Sequence, residues 1–143
     1  YKQEIKINLL HQELIKYSHN IYVPKIFPER IMKFNLYTSE YSLVKNKYGI
    51  TEVDNKEYLE PHFFDAMFIP FVGVDVNGYR IGYGGGYFDR TLAGLMGSSH
   101  SKPLIIGLGY DYQILSKNLA EPHDLRYHKV VTESRMLSYN SRN

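Results

Sequence analysis

Cysteine is absent from the 143 residues. That excludes disulfides, zinc–thiolate centres and thiol nucleophiles, and it fits a reducing compartment, so a cytoplasmic location is expected. No run of lysine and arginine occurs. The 17 basic and 15 acidic residues are well mixed, for a formal charge of +2. Nucleic-acid binding calls for clustered positive charge and is therefore not indicated. No apolar stretch reaches membrane-spanning length, and no signal-peptide pattern is visible at the start. Internal repeats and low-complexity segments are also missing. What remains is ordinary globular material. Hydrophobic residues make up 43% of the chain, enough to bury a normal core, and the length corresponds to one domain. The sequence opens with Tyr1 rather than methionine and enters a helical pattern almost at once, so residues upstream are expected to be missing from it.

Hydrophobic spacing predicts a helix from about Gln3 to Tyr17, with Ile7, Leu10, Leu14 and Tyr17 on one face. Ile21 to Val23 reads as a short strand ending at Pro24, and Phe27 to Glu29 as a turn. From Ile31 to Tyr37 the chain alternates, with Met32, Phe34 and Leu36 opposed to Ile31, Lys33 and Asn35, which is the period of a strand. A short helix start is expected at Thr38 to Glu40, and a polar surface connection from Lys45 to Tyr58. Asp65 to Pro70 is a strongly apolar strand candidate. Asn77-Gly78 is a turn signal, because both residues tolerate positive φ, so Val74 to Ile81 predicts a small hairpin. A second helix buries Phe88, Leu92, Leu95 and Met96. Leu104 to Leu108 reads as a strand covered on both faces, Lys117 to Arg126 as a loop, Val130 to Thr132 as a last strand, and the chain from Ser134 as a polar tail. Strands alternating with helices predict an α/β fold: three layers, a mainly parallel sheet with helices on both faces, Rossmann-like without the dinucleotide fingerprint.

The stretch on which chemistry converges is Gly82 to Arg90. It holds four glycines in five residues (Gly82, Gly84, Gly85, Gly86), then Tyr87, Phe88 and the pair Asp89-Arg90. A strand, a glycine loop and a helix in that order present bare backbone N–H groups to a phosphate. The dinucleotide fingerprint G-x-G-x-x-G fails, because position 87 is tyrosine; the P-loop fails, because no Gly-Lys-Ser/Thr follows. A tight turn alone accounts for the glycines but not for Arg80 before the loop or Asp89-Arg90 after it. Arginine suits bidentate phosphate contact. A carboxylate there repels phosphate unless Mg²⁺ lies between them. The residues thus point to handling of a phosphate ester.

The run Arg80-Ile81-Gly82-Tyr83-Gly84-Gly85-Gly86-Tyr87-Phe88-Asp89-Arg90 closely resembles the signature of the 5-formyltetrahydrofolate cyclo-ligases, also called methenyltetrahydrofolate synthetases. The flanks agree: Phe68 to Pro70 and Gly73 to Asp75 before it, Ile106 to Gln113 after it, then Glu121 to Asp124 and Val131 to Glu133. Tyr22 to Pro24 and Tyr48 to Ile50 also resemble family segments, and the resemblance runs from about Gln3 to Glu133. It implies an ATP- and Mg²⁺-dependent closure of 5-formyltetrahydrofolate to 5,10-methenyltetrahydrofolate, in which ATP phosphorylates the formyl oxygen. It implies that Arg80, Tyr87 and Asp89 are catalytic and that Arg80, Ile81, Gly82, Tyr83, Gly84, Gly85, Gly86, Tyr87 and Phe88 hold ATP, with Arg90 near the phosphates. Glu4, Tyr83, Gly84, Gly85, Gly86 and Tyr87 would contact folate, and Asp89 and Asp124 would hold Mg²⁺. His123 fits the pattern as a brace of its loop. His128 stands where many relatives carry aspartate and reads as a surface residue. Phe88 stands where tyrosine is frequent. Relatives carry a further N-terminal helix and first strand, so the 1–143 stretch reads as one cyclo-ligase-like domain lacking them. A monomer acting on small molecules, away from membranes, is implied.

Two other readings remain open at the level of sequence. One is an ATP- or sugar-phosphate-binding hydrolase or isomerase on a similar α/β frame. The other is a non-catalytic folate- or nucleotide-binding remnant.

Overall fold

The computed structural model describes residues 8–17, 20–37, 43–45, 51–53, 56–81, 87–96, 103–119 and 125–139. They fall into two compact units, one within Lys6–Phe63 and one within Phe64–Asn143.

The first unit holds helix α1, Asn8–Lys16. Its predicted start lies outside the described residues. Leu10 and Leu14 are half-buried as the spacing requires, but Tyr17, just past the last turn, is exposed. Strand β1, Tyr22–Phe27, pairs antiparallel with β2, Ile31–Leu36, in a register running from Tyr22 opposite Leu36 to Phe27 opposite Ile31. A 3₁₀ turn, Pro28–Arg30, joins them, with Glu29 in the left-handed region at φ 65°. On β2, Met32 and Phe34 are buried as predicted; Asn35, on the other face, is buried as well.

The strand does not stop at Pro24. The Phe34 carbonyl accepts from the Leu59 amide (3.0 Å), on the side of β2 away from β1. Pro24 and Phe34 therefore form a non-hydrogen-bonded pair, in which the missing proline N–H is not needed. Ile26, two residues on, turns its N–H outward in the same way, and there it donates to Glu52 Oε2 at 2.8 Å. Glu52 lies on β4, Thr51–Val53, which pairs antiparallel with β3, Leu43–Lys45. At 4% exposure it is no part of a surface connection. The expected polar link from Lys45 to Tyr58 thus contains a strand and a buried carboxylate that satisfies an edge donor. The segment at Thr38 to Glu40 lies outside the described residues.

The second unit is built on a four-stranded sheet. Strand β5, Ala66–Pro70, lies parallel to β8, Leu104–Leu108, with Ala66 opposite Leu104 and Pro70 opposite Leu108. On the far side of β8 lies β9, Lys129–Val131, also parallel, and beyond it β10, Met136–Ser138, antiparallel. The expected polar tail is therefore an edge strand. Its three residues are too few to show an alternating pattern. Two short strands, β6 (Gly73–Val74) and β7 (Arg80–Ile81), form the predicted hairpin, and helix α2, Tyr87–Met96, follows. Among the described residues this gives a mixed α/β fold with a mostly parallel sheet and two α-helices.

The core of this unit is Met67, Ile69, Phe71, Val74, Leu92, Ile105, Leu125, Tyr127 and Val130. Of the predicted inner face of α2, Leu92 is buried and Phe88 half-buried, and the side chains of Leu95 and Met96 lie outside the described residues. Burial alternates along β8, so the strand is covered less fully on one face than its apolar sequence predicts. Tyr127 is a large core residue with a polar tip, which donates to the Ile69 carbonyl at 2.7 Å. No helix among the described residues is long and apolar enough to cross a membrane.

Candidate active site

Three parallel strands end together at Pro70, Leu108 and Val131, and the loops that follow carry the polar chemistry. After β5 the chain turns through the hairpin. Asp75 is fully buried, and its Oδ1 accepts from the N–H groups of Asn77 (2.9 Å) and Tyr79 (3.0 Å). Gly78 takes φ 91°, and the ring of Tyr139 lies 2.5 Å from where a Cβ would stand, so no side chain fits there. The hairpin is then clamped to the segment after Asp124. Arg80 N–H donates to the Leu125 carbonyl (2.7 Å), Tyr127 N–H donates to the Gly78 carbonyl (2.8 Å), and Arg126 Nε donates to the Asn77 carbonyl (2.8 Å).

The clamp places the chain entering the glycine loop beside the chain leaving the Glu121 to Asp124 segment. Arg80 and Leu125 are hydrogen-bonded, Gly82 follows two residues after Arg80, and Asp124 immediately precedes Leu125. The Arg80 side chain is oriented as well: Nε donates to the Pro70 carbonyl (3.0 Å), and the guanidinium lies 5.0 Å from the Phe88 ring centroid. One donor is committed to the backbone at the end of β5, and this fixes the plane of the fork. Ile81 accepts from Val72 N–H (3.0 Å) and so anchors the start of the loop.

Residues 82–86 lie outside the described residues; they join Ile81 to α2, whose first residue is Tyr87. Tyr87 and Phe88 are half-buried, and Arg90 is exposed. Asp89 is the third residue of α2, in the turn whose N–H groups have no helical acceptor. The structure thus brings Arg80, Ile81 and Phe88 together. Gly82, Tyr83, Gly84, Gly85, Gly86, Glu4, His123, Asp124 and the Asp89 side chain lie outside what it describes. Among the described residues no group of three His, Cys, Asp or Glu side chains is set to hold a metal.

A second tight construction follows β8. Gly109 Cα faces Phe71, whose ring lies 2.4 Å from the position of an added Cβ. Asp111–Gln113 forms a 3₁₀ turn. Gln113 is buried; its Oε1 accepts from Tyr110 N–H (2.8 Å) and its Nε2 donates to the Phe71 carbonyl (3.2 Å). The Asp111 carboxylate accepts from the hydroxyls of Ser134 and Thr132, with Arg135 Nε 3.9 Å away. Those hydroxyls, and after them the guanidinium, hold its carboxyl below the usual carboxylate range. His128 is not a free surface residue. It is half-buried, and its Nδ1 accepts from Ile105 N–H at 2.9 Å. Burial, then the Arg126 charge, lowers its pKa below the ordinary histidine value.

The sequence reading missed Tyr139, Arg126 and Glu52. Each acts on a backbone group far away in the chain, and only the Asn77-Gly78 turn signal hinted that something must close over that turn.

The family model of the 5-formyltetrahydrofolate cyclo-ligase family matches residues 1–133. The Escherichia coli K12 5-formyltetrahydrofolate cyclo-ligase is 30% identical over 137 residues, covering 93% of this chain and 74% of the relative. The Haemophilus influenzae protein of the same name is 32% identical over 124 residues, covering 84% and 64%. Among solved structures, the Aquifex aeolicus 5,10-methenyltetrahydrofolate synthetase superposes with a TM-score of 0.77 at 27% identity, covering 96% of this chain and 67% of that one. By the match across nearly its whole length, and by the signature of residues 80–90 within it, this chain belongs to the 5-formyltetrahydrofolate cyclo-ligase family.

Proposed function

We propose that this chain closes 5-formyltetrahydrofolate to 5,10-methenyltetrahydrofolate with ATP. The observation that carries the proposal is the 2.7 Å bond from Arg80 N–H to the Leu125 carbonyl. It draws the chain leading into the glycine loop together with the chain leaving Asp124, and phosphate binding and carboxylate chemistry need that neighbourhood. A formamide oxygen is a poor leaving group. When that oxygen attacks the γ-phosphorus, the bond to ADP breaks; N10 then adds to the activated carbon and loses its proton, and phosphate departs with the oxygen. The protein's share is positioning and charge neutralisation.

Backbone N–H groups of residues 84–86 and the first turn of α2 are the natural cradle for the phosphates. Arg80, oriented by Pro70 and Phe88, faces the transferring group. Tyr87 and Phe88 line the junction of nucleotide and pterin, and Glu4 contacts folate. Asp89 and Asp124 offer two carboxylates, a hard oxygen set that fits Mg²⁺ when phosphate oxygens complete it. Bound there, Mg²⁺ would offset the charge building on the phosphates. The unbroken family match through both units supports reading them as one catalytic domain. The three-layer arrangement, a monomeric state and a cytoplasmic location belong to the same reading.

The test is direct. Full-length protein with ATP, Mg²⁺ and 5-formyltetrahydrofolate is expected to raise the near-ultraviolet absorbance of the methenyl product. Asp89→Asn is expected to abolish that rise, since the metal loses a charged ligand. No rise with the unaltered protein defeats the proposal, and an unaltered rate in Asp89→Asn removes Asp89 from the chemistry.

A further inference from the structure

The 3₁₀ turn after β8 does more than connect. Tyr110 and Tyr112 stack with ring centroids 5.9 Å apart and planes within 11°. Tyr112 is nevertheless 69% exposed, so most of its ring faces solvent. A third ring does not fit between them, since two van der Waals layers need about 7 Å; the surface on offer is the outer face of Tyr112. An exposed tyrosine normally wanders among rotamers. This one stands on a turn held from both sides, by the buried Gln113 amide bonded to Tyr110 N–H and the Phe71 carbonyl, and by Asp111 bonded to Thr132 and Ser134 beyond β9. Glu133 Oε1 accepts from Asp111 N–H at 2.8 Å and completes the fixation.

The turn also stands next to the start of the glycine loop. The Gln113 carbonyl oxygen lies 3.6 Å, and Ile81 Cβ 3.7 Å, from the Cβ position of Gly73. Only the width of Gly73 separates the residue after Tyr112 from the residue before the loop. A bridge between Val74 and Ile114, closed by Leu115 N–H on the Val74 carbonyl (2.8 Å), makes this contact part of the fold.

We infer that Tyr112, backed by Tyr110, is a stacking platform for the planar heterocycle of a substrate whose phosphate chemistry occurs at the glycine loop. The inference rests on the cyclo-ligase reading. The ligand chemistry is a flat, neutral, nitrogen-rich ring with an exocyclic amine; adenine of ATP and the pyrimidinone half of the reduced pterin both supply it. A ring stacked on an aromatic side chain contributes roughly five- to hundredfold in affinity, judged by truncation to alanine.

The experiment measures equilibrium binding to the full chain of a non-hydrolysable ATP analogue with Mg²⁺ and, separately, of 5-formyltetrahydrofolate. Wild type is compared with Tyr112→Ala and Tyr112→Phe. The expected result is a Kd about tenfold weaker in Tyr112→Ala for one ligand only, restored in Tyr112→Phe, with the thermal midpoint unchanged. Weakening for the ATP analogue alone assigns adenine; weakening for folate alone assigns the pterin. Unchanged binding of both ligands overturns the inference while leaving the cyclo-ligase reading intact. Equal weakening of both also overturns it, because that marks a distorted turn. If neither ligand binds wild type, the cyclo-ligase reading fails and takes the platform with it.

Discussion

A few single atoms carry more of this site than its charges do. Gly109 is the clearest case. The Phe71 ring occupies the space of its missing side chain, and Gln113 Oε1 stands 2.8 Å from the same point. Gly109→Ala must push Phe71 out of the core or break the Gln113 amide bonds. Overpacking of this kind costs about 1–3 kcal/mol, and a lower urea midpoint with unchanged m-value is the expected reading. Arg80 is the opposite case, a residue whose charge is less informative than its shape. Its Nε is used on the Pro70 carbonyl and its plane faces Phe88. Arg80→Lys keeps the charge but loses the fork. We expect kcat to fall about tenfold or more, the loss of one oriented charge-assisted contact in the transition state, with little change in unfolding midpoint. A lysine variant turning over at the wild-type rate would show that charge alone is enough there.

At the scale of elements, the β6–β7 hairpin is the lever that aims the glycine loop. Its turn is closed internally by Asp75 and externally by Arg126, Tyr127 and Tyr139. Asp75→Ala leaves the Asn77 and Tyr79 N–H groups without that acceptor, at a stability loss of about 2–3 kcal/mol. Because the hairpin leads directly into the loop, the KM for ATP is expected to rise in the same variant; a stability loss with KM unchanged would separate the hairpin from the loop's function. Asn77-Gly78 announced this hairpin because turn chemistry is local. β5 and β8 were legible for a similar reason, since apolar runs of five residues survive any register. The strand through Pro24 was not: whether a proline is tolerated depends on which pairs are hydrogen-bonded, and Leu59 decides that from a distance. β4 with its buried Glu52, and β10, were missed because each has only three residues with polar ones among them, whereas the equally short β9 shows two adjacent valines. The glycine signature was legible as chemistry, but the clamp from Leu125 and Arg126 that holds its approach exists only once β9 has folded beside β8.

Across the whole of the second unit, two titratable groups stitch β8 to β9, one at each end. His128 accepts from Ile105 N–H near the start of β8, and Asp111, just past its end, binds Thr132 and Ser134 beyond β9. Both have pKa values below their ordinary ones, 6.5 for histidine and 3.8 for aspartate. For each, the unfolded chain binds the proton more readily than the folded one, so stability rises with pH between the folded and unfolded pKa values. The contribution of His128 is fully present above about 6.5 and is lost as pH falls through its lowered folded value. Protonation puts a second N–H where Ile105 already points its own. That of Asp111 persists to lower pH and fades only below 3.8. The sheet is therefore expected to loosen in two stages, the His128 end first. His128→Asn tests the first stage, since its amide oxygen offers Ile105 an acceptor that does not titrate. Unfolding free energy measured from pH 8 downward should fall more steeply in wild type than in the variant below about 6.5 and run parallel above it. Parallel curves throughout would mean that the Ile105 bond survives protonation, and that the acid sensitivity of the fold begins at the Asp111 end.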